Sequence, residues 1–170
     1  MGWAWLILLL VTYPWLLGAD LASDTLASSS LVFFISGTCL IAPCRRLKRW
    51  QAILFAACVG FLFEARRPIP DGALALSLVA VSIFLSSNRQ LTRNTPGMLR
   101  AAAIVNVGAC LVWFVASSYG AAVSVADLAG HLCVQLLLAG VVGTIGLNPI
   151  ALTQNSALDR LGVPPAPDMP

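Results

Sequence analysis

The 170 residues are 59% hydrophobic, with ten Lys and Arg against seven Asp and Glu, a single His and a formal net charge of +3. Mean hydropathy is +0.88; so few polar residues cannot cover a water-soluble domain of this length, and lipid is the expected solvent. The charge balance is ordinary and points to no nucleic-acid partner.

Six apolar segments follow in chain order: Trp3–Gly18, Leu26–Pro43, Trp50–Phe63, Ile69–Ser86, Ala101–Ser118 and Val123–Leu147. A helix needs roughly 20 apolar residues to cross a hydrocarbon core of about 30 Å. The second and third segments are short, which implies tilt, local thinning or borderline insertion. The first loosely resembles a signal peptide at Leu17-Gly18-Ala19, but it is long and no Lys or Arg precedes it, so an uncleaved helix is the better reading. The expected fold is an all-α integral membrane protein with six, or five, transmembrane helices. Residues 1–147 are expected to form one domain, and residues 148–170, ending in PPAPDMP, a short disordered cytoplasmic tail.

Charge sets the expected orientation. Arg45, Arg46, Lys48 and Arg49 lie between segments two and three, Arg89, Arg93 and Arg100 between four and five, and Arg160 after six. Only Arg66 and Arg67 fall in a loop of opposite parity. The positive-inside rule therefore places both termini in the cytoplasm. The RRLKRW loop is explained by topology alone, with anionic headgroups or a cytoplasmic partner as its other reading. Trp3, Trp5, Trp15, Trp50 and Trp113 lie mostly near segment ends, as interfacial rings do.

Chemistry-bearing patterns are few. Cys39, Cys44, Cys58, Cys110 and Cys133 match no zinc or redox spacing and read as small buried hydrophobes. Asp127, His131 and Gln135 are four residues apart and share a helical face, which suits an oriented base less well than a polar stripe or cavity lining. Asn106, alone in segment five, is placed to hydrogen-bond a neighbouring helix, a gain of about 1 kcal/mol. Nucleophile-elbow, phosphate-loop and zinc-protease motifs are missing. No enzymatic activity and no cofactor or metal are expected. Gly140, Gly143 and Gly146 in segment six, and Ala56 with Gly60 in segment three, permit close helix approach.

The stretch FEARRPIPDGALAL, Phe63–Leu76, joins segments three and four. Glu64 closes one helix, and Pro68 and Pro70 forbid its continuation. Asp71 is placed to cap the next, with Gly72 and Ala73 allowing close packing behind it, while Arg66 and Arg67 can pair with Glu64 and Asp71. Taken as Gly60–Leu85, this region resembles the signature of the rod shape-determining protein MreD family, through Gly60, Glu64, Pro70 and Gly72. Glu64 stands where an Asp is more usual, and RRPIPD is more charged than that family's turn. The resemblance implies a non-enzymatic, multi-pass scaffold in the bacterial cytoplasmic membrane. It implies a bitopic MreC-like partner, with the MreB cytoskeleton and the peptidoglycan polymerase and transpeptidase in a wider elongation complex. Contact surfaces would be the outer ends of segments three and four and the glycine face of segment six. The alternative is the vitamin-binding component of an energy-coupling-factor transporter, with Trp113, Tyr119, Asp127, His131 and Gln135 as cavity lining. An enzyme built on Glu64, Asp71 and His131 is the weakest reading.

Overall fold

A computed structural model describes residues 2–26, 31–65, 72–118 and 125–164, with backbone only at 118 and 125–129. The described residues form seven α-helices and no strand: α1 (Ala4–Thr25), α2 (Ser36–Arg46), α3 (Arg49–Glu64), α4 (Ala73–Ser87), α5 (Thr95–Ser118), α6 (Val125–Ile145) and α7 (Leu147–Arg160). A 3₁₀ turn, Arg89–Thr92, links α4 to α5. Pro96 stands in the first turn of α5, where its fixed φ suits the helix and its missing N–H costs nothing.

The outside of the bundle is as apolar as its inside. Leu76, Ile104, Leu137 and Ile145 are about 70% exposed, which water would penalise and acyl chains would not. α1 and α5 are each long and apolar enough to cross a membrane, and α6 with α7 makes a third candidate, bent by 43°. Segments two, three and four yield helices of only 11, 16 and 15 residues, short of the roughly 20 a straight crossing needs.

α2 is the axis of the fold. Every residue from Ser36 to Cys44 is buried, and the helix packs against α3, α4, α5 and α7. At about 1.5 Å per residue it covers only about 16 Å. Leu31–Ile35, expected to be part of a helical second segment, is irregular instead, neither helix nor strand. Val32, Phe33, Phe34 and Ile35 favour leaving the helix because branched and aromatic side chains lose rotamer freedom in it. Phe34 sits at the hub, 5.3 Å from the Phe63 ring and 5.7 Å from Trp113 between centroids.

The chain's end also departs from expectation. Residues 147–160 are helical where a disordered tail is the sequence reading, because Leu147, Ile150, Ala151, Gln154 and Leu158 repeat at helical spacing and are buried. α7 packs against α1 and α2, and Arg46 holds its far end. That guanidinium contacts Asp159 Oδ1 at 2.6 Å and donates to the Val163 carbonyl at 2.5 Å. Gly2 lies at the same end, its carbonyl accepting from Gln51 Nε2 at 3.4 Å. Arg89, which donates to the Leu47 carbonyl at 2.9 Å, is there too.

Candidate functional site

Two buried polar constructions dominate the interior. The first is the α3–α4 corner. Gly72 adopts φ +92°, a left-handed conformation that glycine reaches without strain, and α4 begins directly after it. The first N–H groups of α4 have no partners within the helix. Glu64, only 4% exposed, supplies them from the end of α3. Its carboxylate accepts from Gly72 N at 2.8 Å, from Ala75 N at 3.1 Å and from Leu74 N. The negative charge also faces the positive end of the α4 dipole. Gly60, one turn earlier on α3, lets the Ala75 backbone approach so closely that a Cβ would collide with it. Gly60, Glu64 and Gly72 thus meet at one place. Arg66, Arg67, Pro70 and Asp71 lie outside the described residues. Glu64 caps α4 from the end of α3, and the cap expected of Asp71 falls outside the described residues.

The second construction holds the irregular segment Leu31–Ile35. Asn106 stands near mid-length of α5 and is fully buried. Its Oδ1 accepts from Gly37 N at 2.6 Å, while its Nδ2 donates to the carbonyls of Phe34 at 2.7 Å and Ala139 at 3.4 Å. Gln135 of α6 does the same one step earlier. Oε1 accepts from Val32 N at 3.1 Å and Nε2 donates to the Val32 carbonyl at 2.6 Å. Ser23 Oγ of α1 accepts from Phe33 N at 3.0 Å. Three helices thereby replace the bonds a helical Leu31–Ile35 would have made to itself, as irregular backbone away from water requires. Gly37 permits this contact, since a Cβ there would lie 2.7 Å from Asn106 N and 2.8 Å from the Ala102 carbonyl.

A third amide, Gln154, ties α7 to the core by donating to Thr12 Oγ1 at 2.9 Å and to the Cys39 carbonyl at 3.0 Å. The glycines of α6 divide by role. Gly143 packs tightly on α5, where a Cβ would lie 2.9 Å from Ala103 Cα, and Gly140 makes only ordinary contact with Val107. Gly146 separates α6 from α7. Of the expected polar face of Asp127, His131 and Gln135, the structure describes the last two side chains. Gln135 is committed to Val32, His131 is partly buried on α6, and the Asp127 side chain lies outside the description. Among the described residues no three His, Cys, Asp or Glu side chains group as a metal site.

Asn106 bonds neighbouring helices as its isolation in segment five implies, whereas the roles of Gln135 and Gln154 toward backbone are what sequence reasoning misses. The available signal is an amide isolated in an apolar run, which must find partners inside the protein. Fold and site together define an all-α helical bundle whose buried polar side chains satisfy backbone, with two to three helices able to span a membrane. No family model, curated protein or solved structure matches the chain.

Proposed function

We propose that this chain is a non-catalytic scaffold subunit of the bacterial cytoplasmic membrane, of the kind its resemblance to the MreD family implies. It crosses six times, with both ends in the cytoplasm, and binds a bitopic MreC-like protein within a complex for peptidoglycan elongation. The observation that carries the reading is the corner, where Gly60, Glu64 and Gly72, three positions of the resemblance, converge. Gly2 and Val163 both contact the basic end of the bundle, which agrees with an even number of crossings and with positive-inside retention. Glu64, Asn106, Gln135 and Gln154 are engaged with backbone, which suits a structural and binding role.

Mild-detergent purification followed by native mass spectrometry tests the proposal. A single-span partner facing the periplasm is expected to remain bound, and to be lost with Gly72→Leu, which strains the turn. A monomer that never retains a protein partner, in parent and variant alike, rejects the scaffold.

The small-molecule carrier is the second reading, and one observation favours it. The helical path of segment two is broken near mid-bundle, as in transporters whose sites lie at discontinuous helices. The Ser36 Oγ and Trp113 Nε1 atoms are buried without partners. A small ligand retained in the same spectra would select this reading.

A further inference from the structure

α3 with α4 and α5 with α6 pack closely, whereas α4 and α5 diverge and leave a groove of about 540 Å³ between them. Its walls are apolar: Leu78 and Phe84 from α4, Leu91 from the linking turn, Ile104 and Val105 from α5. At Gly108 the α5 backbone itself forms the wall, and open space lies where a Cβ would stand. One charged side chain lines the groove, Arg100, near its basic end beside Leu91 and Gly97. Among the described residues the exposed Arg100 guanidinium meets no acidic or carbonyl partner, and the same holds for the guanidinium of Arg93 in the preceding linker. Arg89, by contrast, is bound to the Leu47 carbonyl at 2.9 Å.

We propose that the α4–α5 groove is a binding site for an anionic phospholipid of the leaflet at the basic end. One acyl chain lies along Leu78, Val105 and Gly108, and the phosphate sits on Arg100 with Arg93 adding to the local field. The geometry selects this occupant. From Gly97 to Val112 the groove runs about 22 Å along α5, more than one leaflet's share of about 15 Å. An extended chain therefore fits from headgroup level past the midplane. The single cation at one end of an otherwise apolar slot complements an amphiphile with one charged end. A neutral transmembrane helix would leave that cation unused. The proposal rests on the bundle lying in a bilayer and not on the identity of any protein partner.

The test is native mass spectrometry of the full chain titrated with dioleoyl phosphatidylglycerol and, separately, dioleoyl phosphatidylethanolamine. Phosphatidylglycerol is expected to bind more tightly. Arg100→Gln should weaken it about fivefold, the worth of one basic residue near an anionic headgroup, and weaken phosphatidylethanolamine, whose ammonium offsets its phosphate, by less. Gly108→Phe fills open space, so the fold should survive by circular dichroism while both lipids lose binding. Arg49→Gln, an exposed cation elsewhere at the basic end, should change neither. Equal binding of the two lipids overturns the proposal, as does loss of selectivity with Arg49→Gln to the same degree as with Arg100→Gln. A dimer mass abolished by Gly108→Phe assigns the groove to a second copy, and a protein partner released by it assigns the groove to a partner helix. Either result also overturns the lipid assignment.

Discussion

At the α3–α4 corner one carboxylate receives backbone amides from residues 8 to 11 positions away. At the irregular segment, carboxamides reach backbone 69 to 103 positions away. The difference follows from which groups each site orphans. A helix N-terminus offers donors alone, and an acceptor-only carboxylate answers several at once. A non-helical chain offers a donor and an acceptor at each residue, and a carboxamide, with separate donor and acceptor atoms, answers both. Glu at the corner and Asn and Gln at the segment are therefore not interchangeable polar residues.

The largest effect should come from giving the irregular segment the corner's chemistry. Asn106→Asp keeps the shape but removes the donor that serves the Phe34 and Ala139 carbonyls. The buried carboxylate, or the proton it must take from neutral solution, costs about 3–5 kcal/mol. The expected result is failure to recover a folded monomer, or a collapse of the melting temperature in detergent. A variant that melts within about 1 kcal/mol of the parent would remove the distinction between the two sites.

The converse exchange at the corner should cost less. Glu64→Gln keeps one acceptor oxygen but turns an NH₂ group toward N–H donors, a loss of about 1–2 kcal/mol, whereas Glu64→Ala abandons the amides of Gly72, Leu74 and Ala75 and should cost about 2–3 kcal/mol. Chemical denaturation in detergent reads both. If Ala proves milder than Gln, the carboxylate is not the cap it is here taken to be.

How far these sites can be read from sequence differs in the same way. The corner is half legible: Gly60, Glu64 and Gly72 lie within thirteen consecutive residues, and prolines mark the break between helices. What hides the cap is that Glu64 closes the preceding helix, 8 to 11 positions before the amides it serves, and meets them only in the folded bundle. The irregular segment is illegible as a unit, since its carboxamide holders come from helices 69 to 103 residues away and Val32–Ile35 reads equally well as part of an apolar span. α7 is missed for a related reason. Its polar residues, Asn148, Gln154, Asn155 and Asp159, lower the hydropathy, although its buried face keeps helical spacing.

Backbone approach offers a smaller test of the same contrast. Gly37→Ala drives a methyl to within 2.7 Å of Asn106 N and Oδ1, and should cost about 1–3 kcal/mol by pushing α2 off α5. Gly108→Ala enters open space on the same helix. It should be neutral or stabilising by about 0.4–1 kcal/mol, through the unfolded chain. Paired melts measure the difference, and equal effects would mean that α2 does not rest on α5 at Gly37.

The smallest effect should separate the two carboxamides from each other. Asn106 is fully buried and its partners Phe34 and Gly37 are buried too, whereas Val32, the partner of Gln135, is only partly covered. Gln135→Met preserves length and apolar packing while releasing both backbone groups of Val32. Partial exposure lets interfacial water reach those groups, so the loss should be only about 1 kcal/mol. Hydrogen exchange at the Val32 amide should accelerate while that at Gly37 stays slow. If Gly37 accelerates equally, the two amides hold the segment as one cooperative unit. If neither responds, Val32 is already open to water in the parent and Asn106 alone sets where α2 begins.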